Sequence, residues 1–135
     1  MATREVLYLL DTQAWIWLIG GHERAGRLKR LQRNARLLLS VVSIWGSTLL
    51  HRKGRLILKP NPRAFFDSFI EAIGIKSVPV SRFAAMEAFL LPSQFHADPA
   101  DRLLVAITIE LGAILITADE RILEYKHPKL RTFRL

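Results

Sequence analysis

Short apolar runs recur along this chain, and between them the apolar positions fall at helical spacing. Val6 to Leu10 (VLYLL) is branched and aromatic enough to read as a buried strand that ends at Asp11. TQAWIWLIG then predicts a helix closed by Gly20 and Gly21. From about His22 to Asn34, Leu28 and Leu31 form a narrow apolar stripe among many cations, which predicts a surface helix with a basic face. Arg36 to Val42 (RLLLSVV) reads as a second buried strand, followed by a helix over SIWGSTLLHRK that stops at Gly54.

After an extended connector over Arg55 to Lys59, Asn61 and Pro62 open a helix whose Phe65, Phe66, Phe69, Ile70 and Ile73 are expected to face inward. Ile75 to Val80 alternates as a strand, and Pro79 places it at a sheet edge or near its own end. Ser81 caps a helix over RFAAMEAFLL. After the loop PSQFHA, Asp98 as N-cap, Pro99 at N1 and Gly112 past the end bound the helix in DPADRLLVAITIELG. AILIT is a third buried run, DERILEY a short helix, and RTFRL a last strand.

Apolar strands alternating with helices predict an α/β three-layer sandwich, a central, mainly parallel sheet flanked by helices. At 135 residues, half of them apolar, residues 1–135 suit one domain with one continuous core, with no internal repeat or linker. The absence of cysteine excludes disulfides and thiolate ligands and suits a reducing compartment. The apolar stretch from Val6 to Gly21 is shorter than the roughly 20 residues that span a bilayer, and Asp11 interrupts it. A secretory pattern is absent as well, so a cytoplasmic protein with no membrane association is expected. Lys and Arg outnumber the acids 20 to 12, and the formal charge of +8 favours polyanions or an acidic protein partner.

The acids carry the candidate chemistry. Asp11 follows VLYLL, Asp98 and Asp101 open DPADRLL, and Asp119 follows AILIT. Each alone is explained by helix capping, and DPAD is close to a capping box with Asp101 in the N3 place. Together they mean more, because the carboxyl ends of parallel strands share one edge, where ligands bind near the switch in strand order. Asp11 and Asp119 are expected to meet there, with Asp101 leaning into the same notch. Three carboxylates so close repel one another unless a cation neutralises them. An oxygen-only set suits Mg²⁺ or Mn²⁺, which grips phosphate oxygens and activates water; the residues alone thus point to a metal-dependent phosphodiesterase.

LLDTQAWIWLI, SVVSIWGSTLLHRKGRL and FHADPADRLLVAITIELGAILITADERIL together resemble the PIN-domain toxins of VapC type, over nearly the whole chain. The block DPADRLLVA followed by LITAD is the specific part of the likeness. The resemblance implies a parallel sheet flanked by helices and an acidic cluster that binds Mg²⁺ or Mn²⁺ to cleave RNA. It also implies a homodimeric ribonuclease silenced by a partner antitoxin. By motif position the first, third and fourth acids fall on Asp11, Asp101 and Asp119. Asp98 becomes a helper or cap, and Thr117 a hydroxyl able to bond a carboxylate or a metal-bound water.

The second acid is missing. The family pattern reads serine, a hydrophobic residue, tryptophan and glutamate, whereas here it is Ser43, Ile44, Trp45 and Gly46. The next acid along the chain, Asp67, belongs to another helix. Gly46 weakens its helix by roughly 1 kcal/mol relative to alanine, so helix propensity does not account for it. A natural specialised member, a substitution made for safe production and an escape mutation would all leave this sequence. The expected function is a metal-dependent endoribonuclease toxin impaired at Gly46; the alternative is an inactive PIN-domain protein that binds antitoxin or RNA without cleaving it. A third reading takes every aspartate as a cap.

Arg24, Arg27, Arg30 and Arg33 recur every three residues, and Arg52, Lys53 and Arg55 cluster around Gly54. They read either as solvated faces or as an RNA track whose phosphate contacts give affinity without sequence choice. Trp15, Trp17 and Trp45 are expected in the core rather than as base-stacking platforms. His51 and His96 are given no catalytic role.

Overall fold

A computed structural model describes residues 4–92, 95 and 98–135. Among these residues five strands, β1 (Val6–Leu10), β2 (Ala35–Ser40), β3 (Lys76–Val78), β4 (Ile114–Thr117) and β5 (Arg131–Arg134), form one sheet in the order β3-β2-β1-β4-β5. Every pairing is parallel. The chain steps outward from β1 through β2 to β3, then returns to lay β4 on the other side of β1. The strand order therefore reverses between β1 and β4, which opens a crevice beyond their carboxyl ends.

Among the described residues six α-helices connect the strands: α1 (Thr12–Gly20), α2 (Val41–Arg52), α3 (Pro62–Ile73), α4 (Arg82–Leu90), α5 (Pro99–Leu111) and α6 (Glu120–Leu123). The pleat sends alternate strand residues to opposite faces, so the sheet divides two half-cores. Leu9, Leu38 and Leu115 pack with Leu104, Val105 and Ile107 of α5 and Ala84 and Ala88 of α4. On the other face Tyr8, Leu10, Leu39 and Ile116 pack with Trp15 of α1 and Phe66 of α3. This is the expected three-layer α/β sandwich. No helix among the described residues is long and apolar enough to cross a membrane.

Several local expectations need correction. The surface helix foreseen over His22 to Asn34 is a 3-10 helix confined to Glu23–Arg30; a segment with Gly26 and so few apolar anchors buries too little to hold a longer α-helix. The second strand ends at Ser40, not Val42, because the Ser40 hydroxyl accepts the amide of Val42 and starts α2 there. The β-branched valines had read as strand. β3 is a three-residue edge strand, shorter than Ile75 to Val80 but at the edge that Pro79 indicated.

Ile73 is exposed, as it belongs to the last turn of α3. Trp15 is fully buried, and Trp17 is half-buried beneath His22 and Arg24. Trp45 is 66% exposed, not core. It lies across α2 from the buried Ser43 and Ser47, in a stripe with Val41 and Leu49.

Candidate active site

β1 delivers Asp11 and β4 delivers Thr117 and Asp119 to the two sides of the crevice, and the Asp11 amide donates to the Ile116 carbonyl at 3.0 Å. α5 runs back from the same edge, so its first turn holds Asp98 and Asp101 there. α2 leaves β2 beside β1 and places Gly46 next to α1, where an added Cβ would touch only Thr12 Cγ2, at 3.6 Å.

Asp11 is only 4% exposed. One carboxylate oxygen caps α1 by accepting the Ala14 amide at 2.7 Å, and the other accepts the hydroxyl of Thr117. That hydroxyl in turn accepts the Asp119 amide at 3.0 Å, so one fully buried threonine joins the two acid-bearing strand ends. Asp119 caps α6 through the Arg121 amide and also holds the Arg121 guanidinium, with Nε 3.3 Å from Oδ1 and Nη2 3.0 Å from Oδ2. Asp98 caps α5 by accepting the Asp101 amide at 3.1 Å.

Capping therefore accounts for Asp11, Asp98 and Asp119 at once, while Asp101 stands in the first turn of α5. Burial pushes the Asp101 carboxyl up to about 7, helped by the charges of Asp98, Asp119 and Asp11 and opposed by Arg121. The Asp11 carboxyl is also raised, by burial first and also by Asp119, against the bonds from Thr117 and Ala14. The acids thus feel one another across the crevice. Among the described residues, however, no three carboxylate or imidazole side chains stand close enough together to form a finished metal cage. Asp11 and Asp119 are instead turned to protein donors.

A polar ladder braces the adjoining helices: Thr12 Oγ1 and Ser43 Oγ are 3.0 Å apart, Ser47 donates to the Ser43 carbonyl, and Trp15 Nε1 donates to Ser47. Arg102 locks the other wall, donating to the carbonyls of Ala88, Leu91 and Phe95. Sequence reasoning missed Arg121, Arg102 and this ladder. Arg121 and Arg102 had a sequence signal, a cation within two residues of a candidate acid. His51 Nδ1 accepts the Leu58 amide at 3.1 Å, a structural bond. His96 lies outside the described residues.

The cations are arranged differently from the acids. Arg24, Arg27 and Arg30 are exposed and fall in one row, since a 3-10 helix has three residues per turn. Their helix follows the C-terminus of α1, which begins at Asp11 and spans roughly 13 Å at 1.5 Å per residue. Arg52 ends α2, and Lys53 and Arg55 follow it, at that helix's far end in the same way.

Fold and site together define an α/β protein with an oxygen-donor crevice at the reversal of its strand order. The chain belongs to the PIN-domain family, whose family model matches residues 8–128. It is also 42% identical over 55 residues to Ribonuclease VapC22 of Mycobacterium tuberculosis; the match spans 41% of this chain and 42% of that relative. Among solved structures it resembles VapBC2 of Rickettsia felis bound to a promoter DNA fragment, with TM-score 0.73, 16% identity, and 96% of this chain and 99% of that one covered. It is similar too to VapBC-1 of nontypeable Haemophilus influenzae, with TM-score 0.66, 18% identity, and 96% and 98% covered.

Proposed function

We propose that this chain acts as one PIN domain and is the toxin of a toxin–antitoxin pair, an endoribonuclease dependent on Mg²⁺ or Mn²⁺ and impaired by Gly46. The observation that supports the reading is the joining of Asp11 and Asp119 through the Thr117 hydroxyl at the strand-order reversal, with Asp101 in the first turn of α5 and charges that disfavour one another. Such a set of hard oxygen donors fits a divalent cation. Asp11, Asp101 and Asp119 would hold it, and Thr117 orients Asp11 through its hydroxyl. A bound ion supplies phosphate polarisation and a more acidic water. Gly46 contributes neither charge nor ligand.

The partner reading rests on surface. Val41, Val42, Trp45, Val80, Pro99, Ala100 and Leu103 line an apolar groove of about 380 Å³ beside the acids. Separately, Phe83, Met86, Phe89 and Leu90 expose an apolar face of α4. Two such faces suit two protein contacts, an antitoxin and a second copy of the chain. The net charge of +8 supports RNA as substrate.

Gly46→Glu is the decisive experiment. The space beside Thr12 admits a Cβ at ordinary van der Waals distance. The substitution is expected to raise Mn²⁺-dependent RNA cleavage at least about tenfold, given the several kcal/mol that a metal site contributes. Equal rates for both forms, well above background, would refute impairment at Gly46. The second reading, an interaction protein without cleavage, is favoured by the exposed groove and by Gly46. It predicts antitoxin or RNA binding with no cleavage in excess Mn²⁺, even after glutamate is restored. Asp11→Asn should abolish divalent-ion binding; unaltered binding would leave all the aspartates as caps.

A further inference from the structure

Capping explains why Asp119 accepts the Arg121 amide, but not why the Arg121 guanidinium turns back onto both oxygens of the same carboxylate. The side chain is 64% exposed, so solvent competes for it. Glu120, the acid next to Arg121, is engaged by Arg134 of β5. The charges of Asp101 and Asp98 reach Arg121 as well as that of Asp119. A planar cation thus stands at the mouth of an acidic crevice, attached to one of the carboxylates that a metal ion would need.

Building on the metal-dependent reading above, we propose that Arg121 is the phosphate-binding residue of this crevice, stored on Asp119 until a divalent ion takes that carboxylate. An exposed pair of this kind is weak enough to be exchanged. A divalent ion outcompetes a single delocalised positive charge for a carboxylate that has Asp11 and Asp101 nearby. Once released, the guanidinium presents a fork of N–H donors that matches two oxygens of a phosphodiester. Ion and RNA then bind cooperatively. The ion frees the phosphate ligand, and the phosphate, by holding the guanidinium away, leaves Asp119 to the ion; linkage requires the two effects to be equal.

The test measures binding rather than turnover. Mn²⁺ affinity is measured by calorimetry for the unaltered chain, Arg121→Gln and Arg121→Lys. The affinity of a 2′-deoxy oligonucleotide, which carries the same phosphodiester groups, is measured with and without Mn²⁺. Arg121→Gln should bind Mn²⁺ roughly 3- to 10-fold more tightly, because a competing charge is gone. The gain in oligonucleotide affinity that Mn²⁺ brings should fall by about 10-fold, and Arg121→Lys, a cation without the fork, should lie between. Mn²⁺ affinity that is unchanged or weaker in Arg121→Gln, or an undiminished Mn²⁺-dependent gain, overturns the proposal. If Mn²⁺ binds and Asp11→Asn abolishes that binding while Arg121→Gln has no effect, only the role of Arg121 falls. If the unaltered chain binds no Mn²⁺, the metal reading falls with it.

Discussion

Asp101 shows most directly how the site acts on single residues. Its carboxyl is raised from 3.8 to about 7 in the folded chain, so between those values the folded state binds more protons than the unfolded one. Stability of the metal-free protein should therefore fall as pH rises from about 4 to about 7. Asp101→Asn should flatten that slope and melt higher than the unaltered chain at pH 8, which thermal unfolding across pH would show. A variant that keeps the full slope would place its cause elsewhere. Mn²⁺ should in turn raise the melting temperature more at pH 8 than at pH 5.5, because protons compete for the same oxygen atoms.

At the scale of elements, the crevice depends on how α4 and α5 are fastened. Arg102 makes three hydrogen bonds to carbonyls at the end of α4 and beyond it, and stacks over the Phe95 ring at 5.6 Å. Its removal leaves those acceptors without their charged donor. Arg102→Ala should cost about 2–4 kcal/mol in denaturant unfolding, in line with charge-assisted bonds. It should also weaken divalent-ion binding, since α5 carries Asp101. A loss below about 0.5 kcal/mol would show that α4 and α5 are held together by packing alone. Arg102 stands inside the DPADRLL block, but nothing in the sequence tells which carbonyls a guanidinium reaches. The capping residues, by contrast, were legible, because Asp98 with Pro99 and Asn61 with Pro62 bond within their own first turns.

Across the whole molecule, the acids gather at one edge of the sheet while the row of Arg24, Arg27 and Arg30 stands at the far end of α1. RNA that reaches both must run along the protein rather than sit in the crevice alone. Replacing the three arginines by glutamine should weaken binding of a long single strand. It should also reduce the slope of log affinity against log salt by about 2, at ~0.7 for each lost phosphate contact. A short oligonucleotide that covers only the crevice should bind unchanged. If both lengths lose affinity equally, the row acts through general charge and not as a track.

Local chemistry determined much of this protein from its sequence: the α/β class, the five strands to within about two residues, the caps, and the acids that belong at strand ends. Those features depend on residues a few positions apart, where periodicity and hydrogen-bonding capacity are directly visible. Tertiary structure alone decided the rest. It set the order β3-β2-β1-β4-β5 that brings Asp11 and Asp119 together, and the face of α2 that leaves Trp45 in solvent rather than in the core. It also set the Thr117 bridge and the turn of Arg121 onto Asp119. An apolar residue at helical spacing marks a face without saying whether another element covers it. A charged side chain acquires a partner only when the chain has folded around it.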